Sequence, residues 1–445
     1  MLNRYKLSTF AFHFLQAHYM PDRSIPPTIH PIQNLTLALP QKFVLDCGIP
    51  VYVINMGTQD VVKIDFICQA GRPYEQKQMV ARAALRMIKE GTARHSAAEI
   101  AEQLDFYGSS LSFPVNLDTT NIALFSLTKY FDKMAALLAE LILEPTFPEK
   151  ELQSYKENSR QRLLVDLAQP DTIAYRTITE KLFGSAHPYG YNSSPEGYAS
   201  LTRKDLVDYW TKQIVANRCS IILSGKIGEE QVAILNNCFQ KMPTHDAPPA
   251  FFPTESKTET PQKVHISLDG AVQTAIRIGK RLHINRKHKD FKALLVLNTI
   301  LGGYFGSRLM TNIREQKGYT YNIYSTIDAM HEDSYFCIAT EVSTDKVEDT
   351  KKEIYVELQK LLGHVVKGEE LEMVRSYMLG NLLTLLDGPF NVASVVKTAV
   401  SEDLGHDDFE QLTTEIRTVS PKRLQELAQQ YLSADDLWEV TVGAV

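Results

Sequence analysis

Leu301-Gly-Gly-Tyr-Phe-Gly-Ser-Arg-Leu-Met-Thr-Asn-Ile-Arg-Glu-Gln-Lys-Gly-Tyr-Thr-Tyr-Asn-Ile-Tyr-Ser325 opens on a glycine cluster and passes into a short amphipathic helix. Phe305, Leu309 and Ile313 recur at i, i+4 and i+8, the spacing of a buried helical stripe. Gly318 then stands where a helix C-terminal cap belongs. Beyond it the residues alternate as in a strand, with Tyr319, Tyr321, Ile323, Ser325 and Ile327 on one face and Thr320, Asn322, Tyr324 and Thr326 on the other. A helix, a turn and a strand in this order can bring Arg314 and Tyr321 to one rim, as donors suited to a peptide carbonyl or an oxyanion. On local sequence alone the same two residues also read as a helix-end cation and a half-buried strand aromatic.

Outward from this stretch the chain repeats itself. Thr202 and Ser420, Leu206 and Leu424, and Gly225 and Gly443 are each 218 residues apart. Glu151-Leu152 and Glu370-Leu371 are offset by 219, Asp132-Lys133 and Asp345-Lys346 by 213, and Gly108 and Gly318 by 210. Offsets that drift slowly in one direction are those of a duplicated domain with small insertions. Residues 243–261 (PTHDAPPAFFPTESKTETP) hold five prolines and no periodicity, so they read as an extended linker between the halves. The expected layout is an irregular lead-in over 1–35, a first domain over 36–242, the linker over 243–261 and a second domain over 262–445. Strands mixed with long helices make the fold class α+β: two homologous domains, each a mostly antiparallel sheet with helices packed on one face.

Within the first half, strands are expected over 43–45, 51–55, 61–70, 110–115 and 121–127. Helices are expected over 76–90, 96–107, 131–143, 149–167, 172–183 and 201–213, with Ser96 and Glu99 placed as a capping box. The net charge of −6 and the absence of a basic stripe argue against a nucleic-acid partner. No apolar run reaches membrane-spanning length, so no membrane partner is expected. Arg4 and Lys6 ahead of Leu7–Phe12 faintly resemble a signal peptide, but His13, Gln16 and His18 interrupt it and no small-x-small site follows. Cys47, Cys68, Cys219, Cys238 and Cys337 are scattered, odd in number and without CxxC, the pattern of free thiols in a reducing compartment. The cytoplasm is the expected location.

Gly91-Thr-Ala-Arg-His-Ser-Ala-Ala-Glu-Ile-Ala-Glu-Gln-Leu-Asp-Phe-Tyr-Gly108, His187-Pro-Tyr-Gly190 and the 301–325 stretch, set in two duplicated halves, resemble the M16 (pitrilysin-like, insulinase-like) zinc metallopeptidases over about residues 35–445. The resemblance implies an H-x-x-E-H motif on the helix before Gly91-Thr92, with two histidines on zinc and a glutamate as base. The matching positions are Arg82, Leu85 and Arg86. Arginine offers no lone pair to a metal and leucine moves no proton. The family's third ligand, a glutamate, falls at Arg162 and Leu163, with Glu157 and Asp166 nearby but out of register. The twelve histidines contain no i, i+4 pair from which to build another site.

Arg314 and Tyr321 match the family's arginine and tyrosine, which face the zinc across the substrate chamber and stabilise the tetrahedral intermediate. The resemblance therefore implies a non-catalytic, substrate-positioning subunit of a heterodimer, with no metal or cofactor of its own and zinc on a partner that carries H-x-x-E-H. Peptides are the implied substrates. The alternatives are a scaffold in a homodimer or larger complex, like the core subunits of the respiratory bc1 complex, and an active peptidase with a relocated metal. The short Gly302–Gly306 cluster lacks the long glycine-rich loop of presequence-processing subunits. Arg82 and Arg86, at i and i+4, read either as a solvated or ion-paired helix face or as a site for a substrate carboxylate. His187–Gly190 reads as a structural turn, and Gly302, Gly303 and Gly306 as tight packing.

Overall fold

Alternating apolar residues lay out two sheets in this computed structural model, which describes Ser24, Ile32 and residues 34–253 and 260–444. The strands are β1 Gln41–Val44, β2 Pro50–Asn55, β3 Val61–Cys68, β4 Ser110–Ser112, β5 Thr120–Leu127 and β6 Cys219–Gly225, then β7 Lys263–Ser267, β8 Gln273–Arg281, β9 Ile323–Ala329, β10 Ser334–Ser343 and β11 Trp438–Gly443. The first sheet runs β1-β2-β6-β3-β5-β4 and the second β7-β11-β8-β10-β9. Leaving β1 aside, the two orders correspond strand for strand. In both, the one parallel pair is the equivalent one, β2 with β6 and β7 with β11. Gly225 and Gly443 end β6 and β11 against a crossing neighbour: a Cβ would fall 2.2 Å from the Val61 carbonyl oxygen in one case and 2.2 Å from Thr274 Oγ1 in the other. The duplication is thus visible in strand order and in the contacts that terminate equivalent strands.

Within each half the helices cover one face of the sheet. Thr202 and Ser420 cap the equivalent helices Arg203–Gln213 and Pro421–Tyr431, each accepting a backbone N–H with its side chain. Leu206 and Leu424 then bury completely in the two separate cores. Leu152 and Leu371 do the same on helices Glu149–Asp166 and Gly368–Thr384.

The opposite face of each sheet is covered by a helix of the other half. Helix Pro170–Phe183 lays Ala174, Ile178 and Leu182 on Ala275, Cys337, Val440 and Val442 of the second sheet. Helix Pro389–Ser401, which also begins on a proline, lays Val392, Ala393 and Val396 on Ile54, Ile67 and Ile222 of the first. Each crossing carries a charge pair at the same place in the sheet. Asp65 on β3 is buried against Lys63 at 2.8 Å and Lys397 at 3.2 Å. Arg277, the corresponding residue of β8, reaches Asp171 at 2.6 Å. The polarity is reversed but the connection is the same.

Several expected boundaries shift for local reasons. The helix expected over 76–90 is Val80–Met87 with a 3₁₀ turn Ile88–Glu90, because Met79 adopts a left-handed φ of 74° immediately before it. The strand expected from Tyr319 starts at Ile323, and Phe305 is 58% exposed ahead of the helical turn while Leu309 and Ile313 are buried. The Asp132/Asp345 match fails, since the helices concerned begin at Phe131 and Val347, which pairs Asp132 with Glu348. The capping box of Ser96 and Glu99 is formed on helix Ala97–Phe106. The expected lead-in over 1–35, with its signal-like residues, lies almost wholly outside the described residues, as do 254–259 of the linker. Linker residues 243–253 form no helix or strand, and Arg218 donates to the carbonyls of Ala247 and Pro248.

Lys397→Met removes a cation from buried Asp65 while keeping the stem. Denaturant unfolding is expected to show a loss of about 2 kcal/mol, the scale of a hydrogen bond to a buried charge. Lys204→Met, from the exposed Lys204–Asp208 pair, is expected to cost no more than about 0.5 kcal/mol. Equal losses would contradict the role given to the crossing.

Candidate functional site

Leu309 and Ile313 anchor the turn that carries Arg314. Residues Met310–Gln316 wind as a π-helix, with the Lys317 N–H donating to the Asn312 carbonyl at 3.2 Å. Such wide turns interrupt the α-helical ladder and recur at functional sites. Asn312 fixes the turn from below, donating to Glu353 at 3.1 Å and Glu357 at 2.7 Å. Gly318 closes it with φ 67°, as its position in the sequence suggests. Arg314 then folds back so that Nε donates to the Tyr321 carbonyl at 3.0 Å, with its guanidinium 4.7 Å from the Phe305 ring centre. Thr320 donates to the Glu341 carbonyl at 2.8 Å and holds the approach to β9. The Tyr321 side chain itself is 90% exposed. Arg314 and Tyr321 are therefore coupled, but through the main chain of Tyr321 and not its phenol. Gly302 and Gly303 serve packing, as a Cβ at Gly302 would sit 2.5 Å from the Ser325 nitrogen.

The second candidate cluster is built on helix Val80–Met87. Ala83, Leu85 and Met87 are buried, which turns Arg82 outward and leaves Arg86 half-buried. Arg86 reaches the Phe113 carbonyl at 3.4 Å and stacks 5.7 Å from that ring. Burial lowers the Arg86 pKa, and the positive charges of Arg82 and of Arg162 on helix Glu149–Asp166 lower it further. The sequence positions expected to correspond to three metal ligands are thus brought together, and they present three guanidiniums. Tyr155 lies in the same field, its phenol pushed up to about 12 by burial against the opposing pull of Arg82 and Arg86. Glu157 is turned away into a pair with Arg160 at 3.0 Å. Among the described residues no group of three His, Cys, Asp or Glu side chains is placed to hold a metal. A zinc ion does not fit here: the donors carry no lone pairs and their charge repels a cation. No hydrogen bond or ion pair among the described residues joins this cluster to Arg314 or Tyr321.

Glu75 escaped the sequence reading. It lies half-buried just before the left-handed Met79 and accepts hydrogen bonds from the Met79 N–H at 3.1 Å, the Ala81 N–H at 2.8 Å and the Tyr191 hydroxyl at 2.6 Å. Arg72 stacks 4.2 Å from the Tyr191 ring. The carboxylate thus stands in for a capping residue at the start of the arginine-bearing helix. A glutamate five residues ahead of a helix that lacks a Ser, Thr, Asp or Asn N-cap is the signal that could have identified it. Burial pushes its carboxyl up to about 7, against three hydrogen bonds that favour the charged form.

Both clusters lie by free sheet edges. β4 and β9 are the terminal strands of their sheets on corresponding sides. Arg86 bonds to the residue after β4, and Tyr321 lies just before β9. A cleft beside Arg82 and Arg86 is lined by Phe113–Leu117, and Asn116 and Leu117 also line a larger cavity of about 380 Å³ where the halves meet Asp328–Met330. His187 is buried in that neighbourhood among Phe183, Tyr189 and Phe252, consistent with a structural turn.

A duplicated α+β chain with exchanged helices defines a peptidase-like architecture whose expected ligand positions carry guanidiniums. Residues 51–186 match the family model described as insulinase (peptidase family M16), and residues 200–378 match the one described as peptidase M16 inactive domain. The chain belongs to the M16 peptidase family. It is 24% identical over 408 residues to the uncharacterized zinc protease YmxG of Bacillus subtilis, covering 89% of this chain and 96% of that one. It is 26% identical over 250 residues to a non-peptidase homolog of Helicobacter pylori, covering 55% and 56%. The fold matches a peptidase M16 inactive domain structure from Pseudomonas fluorescens at a TM-score of 0.83 and 22% identity, covering 91% and 98% of the two chains. It matches a Helicobacter pylori protease structure at 0.83 and 18%, covering 91% and 100%. Among the described residues no single helix is long and apolar enough to cross a membrane.

The raised Glu75 pKa has a definite sign. The folded chain holds the Glu75 proton more tightly than the unfolded chain, so this group's contribution to stability is lost as pH rises from about 4.5 to about 7. Glu75→Gln cannot titrate. Between pH 5 and pH 7.5, urea unfolding is expected to shift the stability difference in the variant's favour by roughly 2 kcal/mol at the higher pH. A pH-independent difference would contradict the assignment.

Proposed function

We propose that the chain is the non-catalytic, substrate-positioning subunit of a heterodimeric M16-type peptidase. Zinc, the H-x-x-E-H glutamate and the activated water come from a partner subunit, and this chain completes the chamber around a peptide. The carrying observation is the exposed Tyr321 phenol at the head of edge strand β9, beside an Arg314 that among the described residues donates hydrogen bonds only through Nε. The guanidinium keeps further donors for a peptide carbonyl, and the strand edge offers main-chain pairing to an extended substrate. Arg82, Leu85 and Arg86 support the non-catalytic half of the reading. So do the printed names of two relatives, the non-peptidase homolog already noted and a probable inactive metalloprotease of Bacillus subtilis, although other relatives are called zinc proteases. The five free thiols fit a reducing compartment such as the cytoplasm.

One observation favours the scaffold reading instead. Arg314 already binds the Tyr321 carbonyl and the Phe305 ring, which is work enough for a structural residue. The two readings separate in the assembled complex. Arg314→Ala and Tyr321→Phe are each expected to lower peptidase kcat about 10²-fold, as for loss of one oxyanion donor. Tyr321→Phe removes only an exposed hydroxyl, so its effect cannot be ascribed to misfolding. Full activity in both variants would favour the scaffold.

A further inference from the structure

We infer that Arg82, Arg86 and Arg162 form an anion site that takes the C-terminal carboxylate of an extended peptide lying along β4. The inference rests on the peptide-positioning reading above and adds to it the chemical class of the substrate's end.

Three observations carry it. First, the charge is uncompensated. Among the described residues, every other arginine donates a hydrogen bond or sits in an ion pair, whereas Arg82 and Arg162 do neither and Arg86 has only a long bond to the Phe113 carbonyl. Glu157, an acidic residue of the same helix as Arg162, is spent on Arg160 and Gln161. Three guanidiniums kept near one another without a carboxylate are a site in need of an anion.

Second, the cluster borders a cleft and not open surface. Arg82, Leu85 and Arg86 form one wall and Phe113–Leu117 the other. The half-buried Tyr155 shares the field of Arg82 and Arg86 and adds a hydroxyl that burial keeps protonated and able to donate. Leu85 and Phe113 exclude water from the inner side, where charge-assisted hydrogen bonds gain strength.

Third, the position selects a chain end. Among the described residues β4 is an unpaired edge of three residues, Ser110–Ser112, so an extended peptide can add to it by main-chain hydrogen bonds. Pro114 follows two residues later and offers no N–H, so the ladder cannot continue past it. Arg86 meets the strand at Phe113, where pairing stops. A peptide that runs out of partners there presents its terminal carboxylate to the arginines, in place of a ladder it could no longer extend.

The test uses the full chain and one uncharged hexapeptide bearing a neutral N-terminal dye, made as the free acid, as the C-terminal amide and as the amide with an internal glutamate. Fluorescence anisotropy is expected to show the free acid binding at least about 10-fold more tightly than the amide, the scale of one charge-assisted pair. The gap should close in Arg82→Ala/Arg86→Ala and shrink in Arg162→Gln, whose site is on an exposed helix face. Arg82→Lys/Arg86→Lys keeps the charge, guards against a folding defect and should retain part of the gap. Equal binding of acid and amide, or a gap that survives the double alanine variant, overturns the site while leaving peptide positioning intact. Tight binding of the glutamate amide transfers the site to acidic side chains and overturns the chain-end assignment. If no form binds, the peptide-positioning reading falls and the anion site with it.

Discussion

Each half of this chain is completed by a helix from the other half. The outer face of each sheet is apolar around one buried charge, and among the described residues the helix laid on it comes from across the linker: Pro170–Phe183 on the second sheet, Pro389–Ser401 on the first. Neither half can bury that face alone, so the two are expected to fold and move as one body. The buried charges at corresponding places in the two sheets, Asp65 under Lys397 and Arg277 under Asp171, fix the register of the crossing helices. A misplaced helix would leave a charge buried without its partner. This mutual covering sets where the clefts between the halves open and which strand edges stay free beside them.

The site follows from the same duplication. The fold places one helix and one edge strand at corresponding positions in each half. In the first half that helix keeps the geometry of a ligand-bearing element, with two residues at i and i+4 facing a third on helix Glu149–Asp166, but the side chains are guanidiniums. The sign of the local charge is thereby reversed, from a place that would hold a cation to one that would repel it. In the second half the turn is a π-helix that binds Arg314 to the main chain of Tyr321 and leaves the phenol free. One half has changed its chemistry while the other presents donors at a strand edge. That combination is the ground for the proposed peptide-positioning role.

Much of this was legible in residues alone. The offsets between Leu206 and Leu424 and between Gly225 and Gly443 report the duplication because both leucines are fully buried and both glycines lie where a Cβ would collide with a neighbouring strand. Ser96 with Glu99 and Gly318 were readable because caps are local chemistry. Other features were not local. The left-handed Met79 and the role of Glu75 depend on Tyr191, more than a hundred residues away. The alternation from Tyr319 suggested a strand, but the Arg314 bond and Thr320 hold that segment off the ladder until Ile323. Helix exchange leaves no periodic signature, since an apolar helix face does not record which sheet it will cover. Arg162 was aligned with a lost ligand from the family pattern, but its grouping with Arg82 and Arg86 required the packing of two helices.

On the proposed function, the chain presents a peptide-binding surface and holds no metal of its own. Zinc content of the purified full chain, dialysed against micromolar zinc and then against metal-free buffer, addresses it directly. The expected result is far less than one zinc per chain, with no change in thermal midpoint on adding zinc. One tightly held zinc per chain, with a raised midpoint, would contradict the reading of Arg82, Leu85, Arg86 and Arg162 and would require a metal site built elsewhere in the molecule.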